Sequence, residues 1–465
     1  MKIQLSQKMT FLKNILPLLL LLTLNSVSSI NTSVENNQRL LCKSDTTDNE
    51  EIMTQCSCFL NNDTIILQDT SIRYKNETVY LENSTTHWRL SDCAVVHLSG
   101  PTLLSLSNLH TLQLHNIKEL HIANTFLAQY SAKLQILEIY NSSLVNSASS
   151  INIHAHNFKK ITLDNMYLRG TFNLLINTEE NKTLDLITIQ HNQISELGEI
   201  NISSRQVHEF LLENNNIGSI MTGAILHNSD TTTIYGNTFG NMSLLSLDVS
   251  TRNFTLKGNT IKEFRQSAIR IYDASFIEIS ENVFSHIGEN SFIDLRTVLN
   301  NGSFSFTYNH FYTYESGSLQ FYHTIYNKDL TINHNAIHVP VCDCKALQSI
   351  ENMTEAHNKS MMDFKQQRYM TYELLQESSA CVNNDGVENS MMILCIEAES
   401  NISWVSLIAG ITGLIIMISF IIFLMQRKQN CIKKLPTKNK VSVPYDYSVN
   451  FGYLDDSENE EYVRK

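Results

Sequence analysis

Positive charge is scarce in this chain: 34 Lys and Arg stand against 46 Asp and Glu, for a formal net charge of -12. No basic patch interrupts the stretch before Trp404, which argues against a nucleic-acid partner, because phosphate backbones are held by clustered cations. Clustered carboxylates are lacking as well. Asp185, Asp230, Asp248, Asp273 and Asp294 stand apart in the sequence, whereas calcium-assisted proton abstraction and paired acid–base hydrolysis both need converging carboxylates. No catalytic residue is therefore assigned, and the chain is not expected to be an enzyme. His154 and His156 flank Ala155 and would share one face of an extended strand. A zinc site needs a third ligand and a second shell, and none is identifiable, so both read as solvated surface histidines and no metal or cofactor is expected. Proline is limited to 5 residues, and Lys345 to Glu377 contains neither Pro nor Gly.

Long apolar runs are limited to two. Lys2, Lys8 and Lys13 precede the run Ile15 to Leu24, and Ser26, Ser28 and Ser29 follow it; this is the pattern of a signal peptide over residues 1–29, too short to span a bilayer. The second run, Trp404 to Met425, is uncharged and long enough to cross as a helix. Arg427, Lys428, Lys433, Lys434, Lys438 and Lys440 follow it at once, and the positive-inside rule then keeps the C-terminus cytosolic. The expectation is a single-pass type I protein of the plasma membrane, N-terminus extracellular, with a transmembrane helix at 404–425 and a tail at 426–465. Within that helix Ala409 and Gly413 lie four apart, a weak helix-pairing pattern.

Cysteine usage fits that topology. Cys42, Cys56, Cys58, Cys93, Cys342, Cys344, Cys381 and Cys395 precede the membrane segment, and Cys431 alone follows it. Eight thiols in an oxidising compartment can pair fully; Cys431 is an S-palmitoylation site or an unmodified thiol. Glycosylation sequons occur at Asn31, Asn62, Asn76, Asn83, Asn141, Asn181, Asn201, Asn241, Asn253, Asn301, Asn352, Asn358 and Asn401, all before the membrane segment.

Between the cysteine groups one phrase recurs: an alternating apolar pair, two variable residues, Asn, one residue, and another apolar one. It reads Ile187, Ile189, Asn192, Ile194, then Phe210, Leu212, Asn215, Ile217, and returns around Asn237, Asn259, Asn282, Asn309 and Asn335. The asparagines are 23, 22, 22, 23, 27 and 26 residues apart, the period of a solenoid in which each coil adds a strand. Weaker copies upstream place Ser142 and Met166 at the Asn position. At about ten coils, the solenoid is expected over 95–340, between a Cys-containing cap at 30–94 and a second cap and stalk at 341–403.

The stretch Leu184-x-x-Ile187-x-Ile189-x-x-Asn192-x-Ile194 resembles the leucine-rich repeat signature. That resemblance implies that the asparagines form a hydrogen-bonded ladder between coils. Cys56-x-Cys58 and Cys342-Asp343-Cys344 are similar to the disulfide caps of that family, which implies Cys342 with Cys381 and Cys344 with Cys395. For Cys42, Cys56, Cys58 and Cys93, three connectivities remain open. The later coils depart from this pattern, with second alternating strands at Ala268 to Ile271, Phe292 to Leu295 and Leu319 to Phe321, and with the first Leu replaced by Ser229, Thr251, Ala274, Asn301 and Asn327. More than one strand per coil resembles the right-handed parallel β-helix of the pectate-lyase type. The polygalacturonase signatures Asn-Thr-Asp, Asp-Asp and Gly-His-Gly are absent. The fold class expected is an all-β-rich solenoid, a right-handed parallel β-helix with the leucine-rich repeat solenoid as the alternative, plus one transmembrane helix.

The tail carries Tyr445, Tyr447, Tyr453 and Tyr462 in acidic sequence. Asn450-Phe451-Gly452-Tyr453 resembles the Asn-Pro-x-Tyr class of endocytic signals but lacks its Pro, and Ser457 before Glu458 and Glu460 resembles an acidophilic kinase site. A cytoplasmic adaptor is the partner these imply. The functional expectation is a glycosylated receptor-like or adhesion protein that presents one solenoid face to a protein or glycan; the alternative is a membrane-tethered carbohydrate-active enzyme.

Overall fold

The computed structural model describes residues 40–46, 51–58, 64–68, 71–74, 77–80, 84–99, 107–123, 133–145, 149–178, 182–297, 302–321, 329–343, 345–354 and 372–432. It divides into one unit ending at Ile396 and another beginning at Glu397. Tyr445, Tyr447, Tyr453, Ser457 and Tyr462 lie outside the described residues, as do Asn31, Asn62, Asn76, Asn83, Asn181, Asn301, Asn358 and Cys344.

Alternating apolar residues make strands, and coil after coil stacks them in parallel. The first sheet runs from Ile52–Cys58 and Thr85–Ser91 through Thr111–His115, Ile136–Tyr140 and Lys160–Asp164 to Ser303–Thr307 and Asp329–Asn333. A second sheet follows each ladder position, from Thr64–Gln68 and Val95–Ser99 to His310–Tyr314 and Ala336–His338. A third occupies the middle of the solenoid, from Ser149–His154 to Asp294–Thr297. One coil therefore passes through up to three sheets, which decides for the β-helix over the leucine-rich repeat. Of the second strands expected from sequence, those at Ile269–Ala274 and Asp294–Thr297 form. The segment around Leu319 does not; its amide donates to Met353 O at 2.8 Å, at the end of the helix Lys345–Thr354.

The solenoid begins earlier than Val95. Strands Ile52–Cys58 and Thr85–Ser91 belong to the same parallel ladder, because Trp88 and Leu90 continue the inward rows of Leu112 and Leu114. Both ends of the sheets are finished by antiparallel strands: Leu40–Thr46 against Ile52–Cys58, and Glu388–Ser390 against Ala380–Val382. Such pairing covers edges that otherwise invite association. Disulfides Cys42–Cys56 and Cys58–Cys93 pin the first end, and Cys342–Cys381 the last. Cys395 lies on the helix Met391–Ile432.

The interior is filled by register. Leu112, Leu137, Ile161, Ile187, Phe210, Thr232, Phe254, Ile277 and Phe304 face inward at one position of successive coils. Burying each Phe of this row contributes roughly 1.5–3 kcal/mol. Two glycines are required by the approach of neighbouring strands. A Cβ on Gly218 would meet Ser195 O, and one on Gly240 would meet Gly218 O. Backbone cannot retreat cheaply, so Gly240→Ala should destabilise the solenoid by about 1–3 kcal/mol. Thermal unfolding checks this, and a transition at the wild-type temperature would contradict the close approach.

In the second unit, Ile408–Arg427 is a helical stretch of mean hydropathy 2.7, long and apolar enough to cross a membrane.

Candidate functional site

The repeated asparagines form a continuous buried ladder. Asn215 Nδ2 donates to Ile189 O at 2.8 Å in the preceding coil and to Asn237 Oδ1 at 2.9 Å in the next, while Asn215 N donates to the same Asn237 oxygen at 2.8 Å. The pattern repeats from Asn192 through Asn237, Asn259, Asn282 and Asn309 to Asn335. At the upstream end Asn192 Oδ1 accepts from the backbone of Met166 at 2.7 Å, where a thioether has no donor to continue the chain. Ser142 restores the motif with its hydroxyl, accepting from Ile117 N at 3.1 Å and donating to Tyr140 O at 2.7 Å. These side chains are buried, and their hydrogen bonds are spent on neighbouring coils.

The residue before each of them lies nearer the surface, and Asn141, Asn165, His191 and Asn214 are exposed. Asn141, Asn165, His191, Asn214, Gly236, Gly258, Glu281, Tyr308 and His334 all have φ between 47° and 65°, the left-handed conformation that turns the chain from the first sheet into the second. Asn, His and Gly tolerate it best, and that bias was the available sequence signal for this corner. Stacked at one coil per step, four of these residues line a groove of about 520 Å³: Asn141, Asn165, His191 and Asn214 on one wall, with Ser143, Tyr167, Gln193 and Asn216 opening the second sheet on the other. Ser142, Met166 and Asn192 belong to its lining as well.

The groove side chains hold one another in place. Asn165 Nδ2 donates to Asn141 Oδ1 at 2.6 Å, and His191 Nδ1 stands 2.9 Å from Asp164 Oδ1. A carboxylate accepts at that nitrogen, so Nε2 is the edge that the neutral ring offers as an acceptor. Lys118 also lines the groove, whereas neither Asp nor Glu is among the lining residues.

The other residues singled out by sequence are dispersed. His154 Nε2 bonds Asn177 Nδ2 at 3.0 Å on the third sheet, and among the described residues no group of three or more His, Cys, Asp or Glu is arranged to hold a metal. Asp248 is paired with Arg270, and Asp230 with His208 at 2.8 Å. Of the described sequons, Asn141, Asn201 and Asn352 are exposed, whereas Asn241 and Asn253 are half-buried. Asn401 lies on the helix Met391–Ile432.

A family model described as a right-handed beta helix region matches residues 141–296. That span coincides with the coils that carry all three sheets, and with the stacked strands it makes the fold a right-handed parallel β-helix. No curated protein and no solved structure matches the chain.

Proposed function

We propose that the chain is a membrane-anchored, glycosylated cell-surface binding protein whose corner groove engages a glycan. The observation that carries this reading is the groove's chemistry. Side-chain amides both donate and accept, as sugar hydroxyls do; Asn165, Asn214, Asn216 and Gln193 supply them in a repeat set by the coils, beside the ring of Tyr167. Its volume falls in the range of ligand pockets. Anchoring is supported by the apolar helix Ile408–Arg427 and by the three disulfides of the solenoid unit, and the cations after the helix favour a cytosolic tail. On this reading the protein binds without turnover, since the groove lining offers no carboxylate pair. The tail would recruit a cytoplasmic adaptor through Tyr453, Ser457 or Tyr462; Tyr453→Ala should slow uptake of surface-bound antibody, and unchanged uptake would remove that role.

Asn141 is itself a sequon at one end of the groove, so its own glycan would compete for the site. The test is glycan-array binding by the purified chain, wild type and Asn141→Gln, against the variants Asn165→Leu and Asn216→Leu. A hit that both leucine variants lower at least about tenfold, the loss of a well-placed hydrogen bond or two, is the expected result. Equal binding by all four would refute the groove as the site, and new reducing ends released from the bound glycan would replace binding with hydrolysis.

A further inference from the structure

At the C-terminal end of the solenoid the outer surface of the second sheet carries a cluster of rings away from the groove. Strand His310–Tyr314 pairs with Ala336–His338, placing His310 opposite Ala336 and the buried Phe311 opposite the buried Ile337. Tyr312 stacks on His338, with ring centroids 4.0 Å apart and planes 9° from parallel, which holds that imidazole in place. Ala336 has only a methyl group to offer beside His310. The His310 imidazole therefore reaches diagonally across it, and its Nδ1 lies 3.1 Å from His338 Nε2.

We propose that His310 and His338 together bind one divalent ion of the borderline class, copper(II) or zinc, with water completing its coordination. Imidazole nitrogens bind such ions at about 2.0–2.1 Å, so two of them at angles between about 90° and tetrahedral stand roughly 2.9–3.4 Å apart. The 3.1 Å separation falls within that interval. A second imidazole pair on adjacent coils provides the contrast. His97 and His121 stack face to face at 4.3 Å and 16°, which keeps their ring edges parallel, so their lone pairs do not converge. Glu388 lies on the same side of the solenoid end, opposite Val382, which in turn pairs with His338. Nitrogen ligands select copper and zinc over calcium and magnesium, which take oxygen. With two protein ligands the site is open, and it binds more weakly than a closed four-ligand structural centre.

The experiment titrates copper(II) into the full chain in lipid nanodiscs after chelation, following heat by calorimetry and ligation by electron paramagnetic resonance. One equivalent should bind with couplings from two imidazole nitrogens. His310→Gln and His338→Gln should each weaken binding at least about tenfold, while His97→Gln/His121→Gln leaves it unchanged. Equal affinity and stoichiometry in wild type and the His310→Gln/His338→Gln double variant would overturn the proposal. In the unmutated chain, zinc should also protect His310 and His338 from diethyl pyrocarbonate; labelling at the unprotected rate would overturn it without recourse to any variant.

Discussion

Asn259→Leu is expected to lower the stability of the solenoid by about 3 kcal/mol or more, although leucine is nearly isosteric and matches an apolar interior. Asn259 Nδ2 supplies hydrogen bonds to Ile234 O at 2.9 Å and to Lys257 O at 3.0 Å, and its Oδ1 receives Asn237 N at 2.9 Å and Asn237 Nδ2 at 3.0 Å. Asn282 Oδ1 loses a donor as well. Each buried group left without a partner costs about 1–3 kcal/mol, and several are orphaned at once. Asn259→Asp should be no milder: it keeps the acceptor for Asn237 but turns an oxygen toward Ile234 O and Asn282 Oδ1. Chemical denaturation of both variants provides the check. A midpoint within experimental scatter of wild type for either would show that the ladder closes around the gap and is not a source of stability.

The ladder was legible because a polar residue at fixed period inside an apolar frame marks a hydrogen bond that every coil repeats. Asn192 to Asn335 fall in one row on spacing alone, and the strand before each of them follows from alternation. The third sheet was visible only where its strands alternate cleanly, as at Ile269 and Ile271. Around Leu319 the same alternation marks residues that pack beside the helix Lys345–Thr354 and form no strand, since periodicity reports burial and not the partner. The early coils escaped because Trp88 and Leu90 look like isolated apolar residues until their register with Leu112 and Leu114 is known. The groove was invisible for a related reason. From Asn141 to His334 the corner residues share a backbone conformation but mix Asn, His, Gly, Glu and Tyr, so no single-letter pattern joins them and only a bias toward Asn, His and Gly marks the row.

One further feature depends on register alone, and it gives the solenoid a sensitivity to acid. In the coil around Ile225–Tyr235 the inward row of Phe210 and Phe254 is interrupted by Thr232. Beside it His227 is buried, its ring 4.5 Å from that of Phe210 and its Nε2 3.0 Å from Thr232 Oγ1, which in turn lies 2.7 Å from Ser229 Oγ. Nδ1 is buried with no partner. Burial pushes the His227 imidazole down to about 3 from an ordinary 6.5. Between those values the unfolded chain takes up a proton that the folded chain refuses, so stability is intact above about pH 6.5 and falls as the pH drops toward 3. The slope is about 1.4 kcal/mol per pH unit. His227→Leu removes the titrating group and leaves Thr232 and Ser229 bonded to each other. Urea unfolding at pH 7.5, 6, 5 and 4 should therefore show wild type and variant diverging, with the variant retaining about 2–3 kcal/mol more of its neutral-pH stability at pH 4.5. The surface pairs His191–Asp164 and His208–Asp230 are common to both proteins and cancel from the difference. Parallel curves across the whole range would mean that water or a shifted rotamer lets His227 take its proton in the folded state, and that this break in the core has no part in the acid response.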